Sequence, residues 1–262
     1  VTSHPRGDWQ PLDCHAHSTF SDGELTVAEV VARAAARGVR PSISDHMSSY
    51  MATALRNPED VGEYLDALDE HSVLRAGEFC WHDTLWRELP EHLVRRLTHR
   101  IGSLHAIWLP AGAIVHAFSG FPAGLAPDEY MEAHVANLER FAREMPVDIL
   151  GHPTLLPMVL RGMPLEELWT EAREERAVRA LAAAGIAFEV SNRYRTHERF
   201  LRRAWASGVR LSLGSDGHTF EQVADVARPL AVTRGLGVPD AELYDPAIHG
   251  SRTGFFSHRS AA

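Results

Sequence analysis

The chain has 262 residues, 45% of them hydrophobic and 23% charged, enough for one sizeable core in a single domain of barrel size. Its net charge of −9 excludes a surface built for nucleic-acid duplexes or anionic membranes, and no apolar run is long enough to cross a bilayer. All 26 basic residues are arginine. That removes P-loop chemistry, Schiff-base chemistry and any metal pair bridged by a carbamylated lysine, and leaves the guanidinium fork as the charged group able to hold an anion.

The opening residues lack the basic start and apolar run of a signal peptide, and the two cysteines, Cys14 and Cys80, form no C-x-x-C pair. A reducing cytoplasm is the expectation. Trp9 to Leu12 enters a short strand running into Asp13-Cys14-His15-Ala16-His17, followed by a turn at Asp22-Gly23. Side chains two apart on a strand share a face about 6.6 Å apart. Asp13, His15 and His17 should therefore point one way, with Cys14 packed on the other face, and two imidazoles at that spacing can converge on one ion. Taken alone, the pair reads equally well as two surface histidines beside an acid.

Thr26 to Glu29 is a capping box opening a helix with the apolar stripe Val27, Val30, Val31, Ala34 and Ala35, ended by Gly38. A strand over 41–44 delivers Asp45-His46. Asn57-Pro58 starts a helix carrying Val61, Tyr64, Leu65 and Leu68. A strand over 73–79 ends near Glu78, a partly helical stretch runs through Trp86 and Leu93, and a strand over 101–107 contains His105. The Gly-, Ala- and Pro-rich run 109–126 predicts a loop, and 128–144 a helix. A strand over 147–150 delivers Gly151-His152-Pro153, one long helix covers 165–184, and a strand over 186–190 leads to Ser191-Asn192-Arg193. After a helix over 197–207, the last strand, 209–213, delivers Gly214-Ser215-Asp216-Gly217-His218, and a final helix carries Val223, Val226 and Leu230. Beyond Val238 there is no periodicity.

Strands alternating with helices predict a parallel α/β arrangement. No G-x-G-x-x-G follows any strand. Instead His15, His17, Asp22, His46, Glu78, His105, His152, Asp216 and His218 all fall at or just past strand ends, which in a barrel meet around one mouth. Of the 16 histidines, His71, His92, His99, His134 and His197 fall in helical or helix-flanking segments and read as solvated, while His82 and His116 lie in loops with either reading open. Chance does not explain why six of the 16, His15, His17, His46, His105, His152 and His218, gather at strand ends with three acids. Nine ligands exceed one tetrahedral ion and suit two or three ions sharing a carboxylate, with Zn, Mn or Fe all compatible with the donor set.

The motifs D-C-H-A-H with S-D-G, then S-D-H, A-G-E, G-S-L-H, G-H-P and G-S-D-G-H, in that order from Asp13 to His218, resemble those of the polymerase and histidinol phosphatase (PHP) family. The resemblance implies a distorted (β/α)7 barrel, here one domain over 1–262 with an irregular tail from about 239, and a trinuclear site. By position, His15, His17, Glu78 and Asp216 would hold one metal. Glu78 would bridge to a second held by His105 and His152, and Asp22, His46 and His218 would hold the third. Glu78, Asp216 and His218 would form the catalytic centre. The implied activity is hydrolysis of a small phosphomonoester by a metal-bound hydroxide. Histidinol phosphate specifically, another bond type, or metal binding without catalysis are the alternatives. Glu189-Val190-Ser191-Asn192 is similar to the family segment before the substrate loop, but is followed here by Arg193-Tyr194-Arg195. Arg193 and Arg195 are the candidates for phosphate contact, with a pair of surface arginines as the alternative, and Arg161 is a third.

Overall fold

A computed structural model describes residues 9–252. The two ends of the expected domain, 1–8 and 253–262, lie outside the described residues. The fold is mixed α/β with parallel sheets. Its strands, in chain order, are β1 (Leu12–Asp13), β2 (Arg40–Ile43), β3 (His46–Met47), β4 (Leu74–Arg75), β5 (Glu78–Cys80), β6 (Ile101–Ser103), β7 (Ala106–Trp108), β8 (Ile114–His116), β9 (Ile149–Leu150), β10 (Ala187–Ser191) and β11 (Leu211–Gly214). Strands β1-β2-β4 pair in one parallel sheet and β3-β5-β6-β9-β10-β11 in another, while β7 and β8 form an antiparallel hairpin.

The two parallel sheets are divided by local breaks in the ladder. Ala76 N donates to Ile43 O at 2.8 Å and Glu78 N to Asp45 O at 3.0 Å, so the β2–β3 line runs beside the β4–β5 line. The Tyr64 hydroxyl lies in the break, 2.9 Å from Ile43 O and 2.8 Å from Ala76 O. The segment after β1 is bonded on both sides. Ser44 N donates to Ala16 O at 2.8 Å, while Cys14 N donates to Leu213 O at 2.9 Å and His17 N to Gly217 O at 3.0 Å.

Strand β10 displays the two faces. Phe188 and Val190 join the main apolar cluster, with Phe141, Leu181 and Phe200 from helices. Ala187, on the opposite face, joins a small cluster with Leu12, Ile101 and Ile149, and Glu189 on that same face reaches His15. The period of two thus separates core from site along one strand. The expected helices over 27–36 and 58–69 form where their caps predict: Thr26 and Glu29 exchange hydrogen bonds, and Asn57 accepts from Glu59 N and Asp60 N. Each cap contributes about 1 kcal/mol. Val61, Tyr64, Leu65 and Leu68 are the buried face of the second helix. Among the described residues no helix is long and apolar enough to cross a membrane.

Four stretches depart from the sequence expectations. The helix expected over 165–184 is two, Leu165–Leu168 and Glu171–Ala184. Thr170 accepts from Arg173 N and starts a new helix, the competition that makes Thr a cap former, while Trp169 is fully buried at the corner. The strand expected over 101–107 breaks after Ser103, and its end turns away as β7 to pair with β8 inside the segment expected to be loop. Gly112, at φ +86, closes that hairpin, with Leu109 N bonded to Ala113 O at 2.7 Å; the left-handed conformation suits glycine. The final helix runs Ala227–Gly235, so Val223 and Val226 precede it as buried loop residues. The segment after 238 is not irregular up to Arg252. It makes a short turn at Asp240–Glu242 and a helix at Pro246–His249, and buries Tyr244, whose N–H donates to Leu211 O at 2.8 Å.

Candidate metal centre

The nine sequence-selected residues converge. His15 and His17 come from the segment after β1, Asp22 from the following turn, His46 from β3, Glu78 from the start of β5, and His105 from the junction of β6 and β7. His152 follows β9, and Asp216 and His218 follow β11. Two of these positions carry strained backbone for non-glycine residues, His152 at φ +30 and Asp216 at φ +48. Such conformations cost about 1–3 kcal/mol each and persist where surroundings over-determine them. Here His152 N donates to Glu189 Oε2, and Asp216 N donates to His15 O at 2.8 Å. Gly151, just before His152, allows close approach, because a Cβ there would lie 2.6 Å from Ser103 Oγ.

The donor atoms form overlapping groups, each within 4.8 Å: His17, Asp22, His46 and His218; His15, His17 and Asp216; His15, Glu78 and His152; His46, Glu78 and His105. Glu78 sits at the centre. Its Oε1 lies 2.9 Å from His152 Nε2 and 3.3 Å from His105 Nε2, and those two nitrogens lie 3.2 Å apart. Its Oε2 lies 2.7 Å from His46 Nδ1, 3.4 Å from His15 Nε2 and 3.7 Å from His17 Nε2. Asp22 Oδ1 lies 3.3 Å from His218 Nε2 and 3.5 Å from His46 Nε2. Asp216 Oδ1 lies 3.3 Å from His17 Nε2 and 3.6 Å from His218 Nδ1.

These separations are short, yet many are not hydrogen bonds. His15 Nε2, both nitrogens of His17, His46 Nδ1 and Glu78 Oε2 are buried with no hydrogen-bond partner in the protein. Buried polar atoms are normally paired, and leaving one unpaired costs about 1–3 kcal/mol. Five such atoms aimed at one another fit a site for cations, and a mixed His and carboxylate donor set suits divalent transition metals. The charges agree. Burial disfavours the ionised Glu78, yet His46, His105 and His15 outweigh it and hold the carboxyl well below the usual range. Asp22 and Asp216 are likewise held low by neighbouring histidines against the effect of burial. Burial, with His46 next, drives His17 down to about 3. Burial also opposes charge on His15, but Glu189, Glu78 and Asp216 pull it upward.

Other side chains orient the donors. Glu189 is buried with Oε1 2.9 Å from His15 Nδ1. That bond selects the tautomer that turns a bare Nε2 toward Glu78, a common arrangement behind metal-ligating histidines. Cys80 Sγ lies 3.1 Å from His105 Nδ1 and holds that ring from the side away from Glu78. Asp13 does not join His15 and His17 as strand alternation predicts; its carboxylate accepts from Ser215 N at 2.9 Å and Ala224 N at 3.1 Å and ties down the loop after β11.

The cluster opens into a cavity of about 590 Å3. Arg193 lines it, 40% exposed, donating from Nη1 to His218 Nδ1 at 2.6 Å and to Asp216 O at 3.3 Å. Arg195 does not share that cavity. Its Nη1 donates to the carbonyls of Arg161 and Met163 at 3.0 and 2.8 Å, and it lines a neighbouring hollow with Arg161. His82 and His116, left open by the sequence, line the main cavity with their rings 5.0 Å apart. Burial, with His116 next, pushes His82 down to about 4. Tyr50, Phe118 and Tyr194 also line it, and no motif pointed to them. Two histidines expected to be solvated are buried instead, and a third is partly buried. His99 is fully buried beside Thr98, His134 is buried next to Tyr130, and His197 lies 2.9 Å from Glu174.

No protein-family model and no curated protein matches the chain. Solved structures do. A histidinol phosphate phosphatase from Lactococcus lactis subsp. lactis Il1403, crystallised with zinc, L-histidinol and phosphate, aligns at a TM-score of 0.65 and 18% identity over 90% of this chain and 95% of that one. A candidate histidinol phosphatase from Listeria monocytogenes aligns at 0.65 and 14% identity over 83% of this chain and 99% of its own. At such identities the likeness is one of fold.

Proposed function

We propose that the protein is a metal-dependent phosphoesterase of the PHP type, a hydrolase of a small phosphomonoester, built as a single closed (β/α)7 barrel. The observation that carries the reading is the convergence of nine His and carboxylate side chains, among which His15, His17, His46 and Glu78 carry buried atoms that lack hydrogen-bond partners. Closure of the barrel is supported by the backbone bonds that tie the segment after β1 to Ser44 on one side and to Leu213 on the other. The phosphatase reading is supported by the fold shared with the Lactococcus protein, which was crystallised with zinc and phosphate.

In this reading His15, His17, Glu78 and Asp216 hold one ion, Glu78, His105 and His152 a second, and Asp22, His46 and His218 a third. The two carboxylate oxygens of Glu78, each facing a different set of imidazoles, support its bridging role. Divalent Zn, Mn or Fe bound there would supply Lewis acidity toward phosphoryl oxygens and an activated water at neutral pH. The chain's own part is to fix the donors, through Glu189 and Cys80, and to bind the substrate. Glu78, Asp216 and His218 form the catalytic centre. Arg193, which already bridges Asp216 and His218 through one of its nitrogens, has further donors for a phosphate oxygen. Arg195, tied to two carbonyls in the adjacent hollow, supports that loop.

The test is a screen of phosphorylated metabolites against protein reconstituted with Zn, Mn or Fe, following inorganic phosphate. Turnover abolished by a chelator and restored by metal is expected. No phosphate release from any ester with any of these metals would overturn the reading.

A further inference from the structure

Resting on the phosphoesterase reading above, we propose that the outer half of the cavity selects phosphomonoesters of uncharged aromatic alcohols and disfavours those of amino alcohols. A cavity of about 590 Å3 is far larger than a phosphate group needs, so its outer half must meet the alcohol. That half is walled by rings. Tyr50 stacks on His82 with centroids 6.0 Å apart, and His82 meets His116 at 5.0 Å. Phe118 lies 5.9 Å from His105, and Tyr194 lies 5.1 Å from His152. Phe118 and Tyr194 thus stand directly against proposed ligands, and Tyr50, His82 and His116 form a second group of rings in the same lining. Tyr50 is 69% and Phe118 54% exposed, and a flat apolar group laid against them would remove that surface from water and stack on it.

Charge points the same way. The acids lining the cavity are Asp22, Glu78 and Asp216, all within the metal cluster. Asp83, beside His82 in sequence, is occupied by the hydroxyls of Ser48 and Ser49 and does not line the space. The cations nearby are arginines. Arg193 lines the cavity, and the Arg161 guanidinium sits 5.2 Å from the Phe118 ring and 5.9 Å from the Tyr194 ring. An ammonium group would find no carboxylate outside the cluster among the described residues. The aromatic faces that could attract it are already beside a guanidinium or stacked on His82.

The test compares benzyl phosphate, butyl phosphate and 3-aminopropyl phosphate on the metal-loaded full chain. It is paired with calorimetric binding of benzylphosphonate and 3-aminopropylphosphonate, which are not hydrolysed. We expect kcat/KM for the benzyl ester to exceed that for the aminopropyl ester by at least about tenfold, and benzylphosphonate to bind more tightly by a similar factor, within the range of a single apolar pocket contact. Phe118→Ala should narrow the benzyl-to-butyl ratio by about tenfold with metal content unchanged. Equal or better use of the aminopropyl ester, or a Phe118→Ala variant with an unaltered ratio, would overturn the proposal. If no ester turns over, the phosphoesterase reading falls. The phosphonate affinities then decide the selectivity by themselves, since tighter binding of the aminopropyl compound would overturn it.

Discussion

Two kinds of buried carboxylate lie at the same end of the sheet, and they differ in what surrounds them. Asp13 and Asp45 form a collar beneath the cluster, and every oxygen they carry is engaged. Asp13 accepts from His15 N and Ser215 N on one oxygen and from Ser215 Oγ and Ala224 N on the other. Asp45 accepts from Ser18 N, Ser18 Oγ and Ser21 Oγ. Glu78 is as deeply buried, but its Oε2 faces three imidazoles with no hydrogen bond. Burial raises both collar acids to about 6, whereas the histidines around Glu78 hold it well below the usual carboxylate range. The lesson is that burial does not mark a ligand. A carboxylate whose acceptors are used by serines and backbone N–H groups holds loops together, and one left facing bare nitrogens is available to a cation.

The largest expected effect breaks the cluster and spares the collar. Glu78→Gln removes the charge proposed to bridge two ions. It should weaken metal binding by more than the roughly 100-fold upper limit for residues that merely orient ligands, measured by chelator competition. Wild-type metal affinity in Glu78→Gln alongside a large loss in His105→Ala would show that Glu78 is not the bridge. The reciprocal change, Asp13→Ala, should lower stability by about 3 kcal/mol through loss of hydrogen bonds to a charged acceptor, read by urea unfolding, while metal affinity changes less than in Glu78→Gln. The opposite ranking would erase the distinction between collar and cluster.

A smaller effect separates the two arginines. Arg193→Met should lower kcat/KM for a phosphomonoester by roughly 10–100-fold, as expected for a hydrogen bond to a charged group, with metal content unchanged. Arg195→Met should stay within about twofold, because its donors are held by the carbonyls of Arg161 and Met163 and a hydrogen bond outside the site adds no transition-state contact. Equal losses in both variants would place Arg195 in the mouth.

The smallest effect is a slope. Burial raises Asp13 and Asp45 from the ordinary 3.8 to about 6, so in that window the folded state holds protons that the unfolded chain releases. Their contribution to stability is fully present below about 4 and lost as pH rises through about 6. Glu78, held low, contributes in the opposite sense: its stabilisation is present above its unfolded value and lost as pH falls. In chelator-treated protein, Asp13→Asn should therefore make the stability-versus-pH slope between pH 4 and 6 less negative than in wild type. An unchanged slope would mean that Asp13 is ionised throughout that range.

The site was more legible in the sequence than the fold around it. Candidate ligands at strand ends follow from two local rules, alternation along a strand and placement near the C-terminal end of a predicted strand, so His15, His46, Glu78 and His152 could be singled out without tertiary knowledge, although His46 and Glu78 open β3 and β5. Glu189 carried the same signal, two residues from Ala187 on the interior face of β10, yet its role depends on where His15 lies across the sheet, and sequence spacing does not encode that. The β7–β8 hairpin was hidden by Pro110, Gly112 and the alanines around them, a composition typical of loops. The break at Thr170 lay inside an unbroken helical pattern, where one capping hydroxyl outweighs propensity. Tyr244 anchors a segment with no periodicity, and a single buried ring leaves no pattern to read. The direction of Arg195 was equally hidden, since four residues past the end of β10 the loop, not the pleat, aims the side chain.

Metal content per chain tests the central claim most directly. The protein should be purified without chelator, reconstituted with Mn or Zn, freed of unbound ions and measured by elemental analysis against protein concentration. The arrangement around Glu78 predicts two or three ions per chain, falling in Glu78→Gln but not in Asp13→Ala. One ion or fewer per chain in the wild-type protein would contradict it.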